Sequence, residues 1–338
     1  MTQPLVSIIV PTYNGEKRIA RTLESLIAQD YANLEIIVVD DVSTDNTVIA
    51  ARNVLEASGR KYLIIERTEN GRQSASRNTG LKAASGKYVM FFDHDDLAER
   101  EFVSMLCSKA ESGNMDITFC SFRHYYEHED RYEAEHFPFH EGVISSEHFL
   151  KLWASRKINP YSIWNYIYRK NFLDEHNLHF TDSCYFGEDT EFILKVLACA
   201  PSMSFIKREA FTYIHHAEQQ SNANAFFRKG QNWYHQLRLT CLRTGRFIAR
   251  RTHNRKVRDY ALNFYIPDSI IKQFTVYANH DDKDSYSKFL KMLKHKKTKE
   301  LLLSTVKFLF SMPEVFIKSL MLLYAPKLYY YLRKGRAK

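Results

Sequence analysis

An α/β fold is what this sequence predicts: a mostly parallel central sheet with flanking helices, followed by a helical C-terminal region. Three observations predict it. Four β-branched or apolar runs alternate with helix-forming segments inside the first 96 residues, the pattern of a parallel sheet with crossover helices. Two of those runs end in carboxylates, Asp40-Asp41 and Asp93 to Asp96, and open parallel sheets bind ligands beyond their carboxyl ends. From about Asn224 onward the pattern is helical. The domains expected are 1–222 and 223–338.

The elements follow in order. Val6-Ser7-Ile8-Ile9-Val10, closed by Pro11, reads as the first strand. Thr12 to Gly15 forms a turn, and Ile19, Leu23, Leu26 and Ile27 repeat at helical spacing. Leu34 to Val39 is the second strand. Ser43 to Thr47 supplies helix-capping residues, and the helix runs to about Gly59. Tyr62 to Glu66 is the third strand, Ser74 to Ala84 a short helix, and Tyr88-Val89-Met90 the start of the fourth strand. A helix is expected over Glu101 to Glu111 and a strand over Asp116 to Tyr126. The charged stretch Glu127 to Glu141 reads as a solvated hairpin or loop, its histidines His128, His136 and His140, with His124, lacking a ligand spacing on one element. Ser145 to Trp153 reads as a helix, and a third acidic cluster, Gly187-Glu188-Asp189, opens another. Beyond Asp281-Asp282 come Lys-rich helices, including Leu301 to Phe310, divided by Pro313 and Pro326.

Composition sets the class. The 338 residues are 45% hydrophobic and 26% charged, ordinary for a globular protein. Five cysteines show no metal spacing and read as free thiols of a reducing compartment. No signal-peptide pattern and no spanning run of 18 apolar residues is seen, so a cytoplasmic protein is expected. The net charge of +9 is uneven: Lys283 to Lys338 carries 14 basic and 3 acidic residues, while the rest carries 34 and 36. A basic tail on a near-neutral body points to an anionic partner.

The acidic strand end Asp93-His94-Asp95-Asp96 carries the chemistry. Clustered carboxylates repel one another and are costly to bury, so they fit a hard divalent cation such as Mg²⁺ or Mn²⁺, an ion that commonly also holds phosphates. A capped turn is the alternative for this hexamer alone. No GxGxxG and no GxxxxGK[ST] is present.

The ordered set resembles family-2 glycosyltransferases, inverting enzymes of the GT-A fold. The segments carrying the resemblance are Val6 to Asn14, Val38 to Asp45, Ser76-Arg77-Asn78-Thr79-Gly80, Phe92 to Asp96 and Gly187-Glu188-Asp189. Weaker likeness lies in Trp164-Asn165 to Tyr168-Arg169 and in Tyr213 to Ser221, with His215 in the place of an Arg. Val42 stands where the family usually has Gly, and His94 where a small residue is usual.

The resemblance implies a donor site of Pro11, Thr12, Tyr13, Asn14, Asp40, Asp41, Arg77, Asp93 and His94. It implies a Mn²⁺ or Mg²⁺ ion on Asp93 and Asp95, with His215 as a further candidate ligand. Asp189 is the implied base, with Glu188 beside it, and Trp164, Tyr168 and Arg169 face the acceptor; read from the residues alone, Trp164 is more a packing residue than a sugar platform, and His215 and His216 are either structural or in contact with phosphate or metal. The implied reaction moves a sugar from a nucleotide-sugar, a UDP-sugar in this reading, to a hydroxyl of a glycan or lipid-linked acceptor in surface polysaccharide synthesis. Lysines interleaved with apolar residues over 285–338 fit the anionic inner face of the plasma membrane, where the protein would sit peripherally. An ordinary helical subdomain and a role in homo-oligomerisation are the other readings of the tail. A non-catalytic nucleotide-sugar-binding module is the second functional reading. Nucleic acid is not expected as a partner, since the acidic strand ends repel phosphate and no RNA-module motif is present.

Overall fold

The computed structural model describes residues 3–182, 184, 186–217, 232–279, 283–305 and 313–334. The chain divides into two compact units, Met1–Gln219 and Gln220–Lys338. Glu218 to Ser221, the start of the helical region at Asn224, the Asp281-Asp282 break and Val306 to Phe310 lie outside the described residues.

The first unit is built on β1 (Val6–Thr12), β2 (Leu34–Asp40), β3 (Lys61–Glu66) and β4 (Tyr88–Phe91). These strands pair in parallel in the order β3-β2-β1-β4. β1 and β2 are buried along their whole length, as their unbroken β-branched runs require of a sheet covered on both faces. The covering helices are α1 (Ile19–Ile27), α2 (Thr47–Glu56) and α3 (Arg72–Ala83).

β1 does not stop at Pro11 but runs through it to Thr12. The reason is positional. The Ile9 carbonyl accepts from the Phe92 N–H at 2.9 Å, and the ladder to β4 ends there. Two residues on, the Pro11 nitrogen faces the same side beyond the last pair, so its missing N–H breaks no bond.

The sheet then turns mixed. After β5 (Leu97–Ala98) and α4 (Phe102–Ser112) come β6 (Ile117–Tyr126), β7 (Arg131–Ala134), β8 (Gly142–Ser145), α5 (Ser146–Ala154), β9 (Tyr166–Arg169), α6 (Lys170–Glu175), α7 (Glu188–Cys199) and β10 (Ser202–His215). The full order is β3-β2-β1-β4-β9-β6-β10-β5, with β9 antiparallel to both neighbours and β10 parallel to β6. The parallel character predicted from the first 96 residues therefore holds for that half. Glu127 to Glu141 contains the turn and β7, which pairs back on β6 as a hairpin.

Stacked rings fill the second half. Trp164 lies flat on Phe211 at 4.3 Å and on Tyr213 at 5.2 Å between ring centres, and Phe119 stacks on Tyr166 at 4.8 Å. Such ring pairs add to simple area burial. One close approach joins helix to sheet: a Cβ on Gly80 of α3 would lie 2.3 Å from Ile9 Cγ2 of β1, so only glycine lets α3 sit this near the strand.

The second unit is helical among its described residues: α8 (Asn232–Arg251), α9 (Arg255–Tyr260), a π-helical turn Ala261–Tyr265, α10 (Ile266–Asn279), α11 (Lys283–Lys294), α12 (Lys296–Leu303), α13 (Pro313–Tyr324) and α14 (Pro326–Lys334). No helix of the described residues is long and apolar enough to cross a membrane. All five cysteines are free.

Two features of the sheet give stability predictions. Buried Glu35 of β2 is desolvated, which opposes its charge, but Lys61, the Ser7 hydroxyl at 2.6 Å and the Ser85 amide at 2.7 Å outweigh this and hold it down at about 2. A carboxyl depressed in the folded state contributes stability that is full above its unfolded value of 4.5 and lost as pH falls toward 2. In urea titrations Glu35→Gln is expected to be less stable than wild type by about 2–3 kcal/mol at pH 7, with the gap closing between pH 4.5 and 2.

The second feature is Val42, a β-branched residue at φ 67°. Its Cβ crowds the following carbonyl there, at a cost of about 1–2 kcal/mol. Val42→Gly is expected to raise the thermal midpoint by roughly 2–4 °C in calorimetry, the relief being partly offset by the added freedom of the unfolded chain.

Candidate active site

The parallel register aligns the ends of three strands: Thr12 pairs with Asp40, and Ile9 with Phe91. The turns leaving β1, β2 and β4 therefore share one edge, and the acidic segments found in sequence meet there.

Arg77 ties this edge to the third acidic segment. It points inward from α3 with no exposed surface, one guanidinium nitrogen 2.6 Å from Asp189 Oδ1 and another 2.8 Å from Asp93 Oδ1. Its plane also lies over the Phe180 ring at 5.3 Å. Two carboxylates that would repel are thus held by one buried cation. The rest of α3 fastens the segment leading to Asp189. Asn78 Nδ2 donates to the Phe180 carbonyl and its Oδ1 accepts from the Phe180 N–H, each at 2.9 Å, while the Ser74 hydroxyl donates to the Cys184 carbonyl at 3.1 Å. Asp189 lies in the first turn of α7 after Gly187, whose φ is 74°. Burial pushes its carboxyl above the usual range against the pull of Arg77, and Glu188 pushes the same way. Glu188 is itself raised by burial. Asp189 keeps 25% of its side chain open, so this raised carboxyl still reaches solvent.

The Asp93-to-Asp96 segment divides its carboxylates. Asp93 belongs to Arg77. Asp95 Oδ2 is 2.9 Å from His216 Nε2; burial would raise Asp95, but His216 and His94 hold it below the ordinary range. Asp96 does not cap the next helix. It is fully buried and accepts from the Ile214 N–H at 2.8 Å, while its carbonyl accepts from the Thr22 hydroxyl. Burial and the neighbouring Asp95 and Asp93 push it well above the carboxylate range, and its bond to Ile214 anchors the end of β10. His94 packs on the β1 turn: a Cβ on Gly15 would fall 2.5 Å from its ring and 2.9 Å from Thr12 Oγ1.

The donor-side residues divide between lining and framework. Tyr13 is 40% exposed. Asn14, at φ 49°, caps the next turn by accepting from the Thr44 N–H at 2.8 Å. Thr12 is buried, like Pro11, and its hydroxyl has no partner among the described residues. Asp40 and Asp41 differ from expectation: both are buried and engaged within the protein. Asp40 accepts from the Ser43 N–H and hydroxyl. Asp41 accepts from Arg67 at 2.9 Å and from the Gly71 and Arg72 amides at 3.0 and 2.6 Å. They order the turns at this edge rather than stand open on it. Arg77 likewise lies beneath the cleft and not on its surface.

The acceptor-side expectations are corrected. Trp164 is 2% exposed within its ring stack, and Tyr168 is fully buried against Phe91 and Phe192. Arg169 pairs with Asp116 at 2.9 Å and lies opposite Tyr88, the first residue of β4, at the edge away from the carboxylates. Trp164 and Tyr168 are buried and Arg169 lies at the far edge, so none of the three stands open beside the carboxylates.

His215 is corrected too. Its ring stacks on Tyr126 at 4.3 Å, its Nε2 is 2.9 Å from His124 Nδ1, and burial and His124 push it down to about 4. Strand alternation turns it from the carboxylates and gives that place to the next residue, His216. Ser74 and Asn78 were missed as supporting groups, and Asp96 was read with the acidic cluster or as a cap rather than as a tie to β10. Asn78 sits inside the motif that marked Arg77, which was the one available signal.

Among the described residues no three His, Cys, Asp or Glu side chains converge at metal-ligand spacing. The donor set is nevertheless suited to a hard divalent ion. Asp95 and His216 are adjacent, Asp93 retains an oxygen free of Arg77, and the buried His216 Nδ1 and Asp96 Oδ2 have no partner among the described residues.

Comparison with known proteins gives the family and the fold. The family model described as "Glycosyl transferase family 2" matches residues 7–214. The chain is 32% identical over 213 residues to the uncharacterized glycosyltransferase EpsJ of Bacillus subtilis, covering 62% of this chain and 61% of that one; it thus spans less than two thirds of that relative's length. The crystal structure of S. aureus TarS 1–349 shares the fold with a TM-score of 0.66 at 18% identity, over 98% of this chain and 88% of that one. The same protein in complex with UDP-GlcNAc gives 0.62 at 19% identity over the same shares. The fold is GT-A, and the chain belongs to glycosyl transferase family 2.

Proposed function

We propose that the protein is an inverting glycosyltransferase that moves a sugar from a UDP-sugar to a hydroxyl of a glycan or lipid-linked acceptor in surface polysaccharide synthesis. The observation that carries this is the Arg77 bridge: one buried guanidinium joins Asp93, on the strand end that meets the donor, to Asp189, the raised carboxylate with access to the cleft. The UDP-GlcNAc complex of the TarS neighbour supports the uridine donor.

In this reading Tyr13 and Thr12 line the base pocket, closed by the turn that Asp40 and Asp41 organise. Asp93, Asp95 and His216 would hold Mn²⁺ or Mg²⁺, which when bound offsets charge on the departing diphosphate. Asp189 accepts the proton of the acceptor hydroxyl as its oxygen bonds to the anomeric carbon, on the face opposite the breaking bond to the diphosphate. Attack from behind inverts the configuration. Arg77 keeps Asp189 in place and Glu188 strengthens it as a base. The basic C-terminal region would keep the enzyme at the anionic inner membrane surface, where a lipid-linked acceptor lies.

Asp189→Asn is expected to lose about 10²–10⁴-fold in transfer rate while its donor affinity, read by calorimetry, stays within about threefold of wild type. Wild-type turnover by this variant overturns the assignment of the base, and tight donor binding without transfer by the wild-type chain favours a non-catalytic binding module. His216→Ala is expected to weaken Mn²⁺-dependent UDP-sugar binding about 10–100-fold, and His215→Ala to leave it unchanged. The opposite ranking returns the ligand role to His215.

A further inference from the structure

The helix α13 breaks the rule for a helix on a protein surface. Its inward face is Val315, Ser319 and Leu322, all buried. Its outward face is Ile317, Leu320 and Tyr324, three and four residues apart and so in one row, yet they are 53%, 37% and 76% exposed. Its two charged residues, Glu314 and Lys318, pair with each other one turn apart. A helix that is apolar on both faces expects cover on both. The next helix repeats this: on α14 Leu328 and Leu332, again one turn apart, are each 54% exposed while the neighbouring Tyr329 is buried. Five of the twelve exposed large hydrophobic residues described thus fall within these two consecutive short helices, a concentration in sequence that the scattered apolar exposure normal for a surface does not show.

The charge of the helices that carry and precede these residues selects their occupant. Lys283 to Lys338 has a net charge of +11. Lys291 and Lys294 near the end of α11, and Lys296, Lys297 and Lys299 in α12, are exposed. A second copy of the chain would set +11 against +11. A nucleic acid would suit the lysines but leave five large apolar side chains in water. An anionic bilayer suits both: lysines meet headgroups, the aliphatic row enters the acyl boundary, and Tyr324 places an amphipathic ring at the interface. The described helices are too short or too polar to span, so these residues would meet a bilayer at its surface.

We propose that the outward row Ile317, Leu320, Tyr324, Leu328 and Leu332 is a docking surface for an anionic lipid bilayer, with the lysines of α11 and α12 as its electrostatic contact. This rests on the membrane-acceptor reading above and names the residues that perform it; the sequence pointed only to the charged tail as a whole.

The test is co-sedimentation of the full chain with phosphatidylcholine vesicles, with and without phosphatidylglycerol. Wild type is expected to bind the anionic vesicles at least about tenfold more tightly than the neutral ones, and Ile317→Glu/Leu328→Glu to lose about tenfold or more on the anionic vesicles with an unchanged circular dichroism spectrum and thermal midpoint. Should that variant misfold, Lys296→Glu/Lys297→Glu/Lys299→Glu, all at exposed positions, is expected to lose the phosphatidylglycerol preference alone. Wild-type-like vesicle binding by either folded variant overturns the proposal. So does a change from oligomer to monomer in light scattering with vesicle binding intact, which would make the row an interface between copies. Transfer to a short water-soluble acceptor in detergent is measured on the same preparations: its absence in wild type with vesicle binding intact counts against the transferase reading and leaves the docking surface standing.

Discussion

Arg77 carries a positive charge with no contact with water, and the neighbouring structure follows from that constraint. A buried guanidinium needs compensating charge within hydrogen-bond reach. Asp93 and Asp189 supply it from opposite sides of the cleft edge, 112 residues of chain separating Arg77 from Asp189. Removing one partner of such a buried group typically costs about 3–5 kcal/mol, so Asp93, Arg77 and Asp189 act as one unit rather than three sites. The same bridge fixes the spacing between the end of β4 and the start of α7, and with it the place of any group that lies between them. Gly80 belongs to this constraint, because the close seating of α3 on β1 sets how deep Arg77 lies.

Two further devices support the edge. Asp41 gathers Arg67 and the amides of Gly71 and Arg72, so the loop entering α3 is ordered by the end of β2. Asp96 receives the Ile214 amide and ties the end of β10 to the acidic segment. Each uses a carboxylate as an internal fastener, and the exposed carboxyl surface left for chemistry is correspondingly small. This is how a chain with acidic clusters at three element ends avoids the repulsion that their crowding implies.

The sheet was legible because buried parallel strands write themselves as nearly continuous apolar runs, and β1, β2 and β4 did so. The acidic edge was legible because parallel strands place their carboxyl ends together. What escaped was governed by tertiary packing. α3 reads Arg-Gln-Ser-Ala-Ser-Arg-Asn-Thr-Gly and has almost no apolar stripe, yet Ser74, Ser76 and Arg77 are buried; periodicity is blind to a helix buried through polar groups. Trp164 and Tyr168 were misplaced because an aromatic residue near an acidic motif suits a sugar platform and a ring stack equally in sequence, and only the β6–β9–β10 pairing decides. His215 and His216 were separated by strand alternation, which needs the true end of β10.

That alternation has an evolutionary consequence. Ile214, His215 and His216 are consecutive, and each serves a different network: Asp96, the His124–Tyr126 pair, and Asp95. Sliding the strand by one residue would hand each partner to the wrong side chain. β10 already absorbs its irregularities upstream, in the register shifts between Ile206 and Phe211. Length variation among related chains should therefore collect in that bulged stretch, and the six residues from Phe211 to His216 should tolerate exchange of side chains far better than gain or loss of a residue.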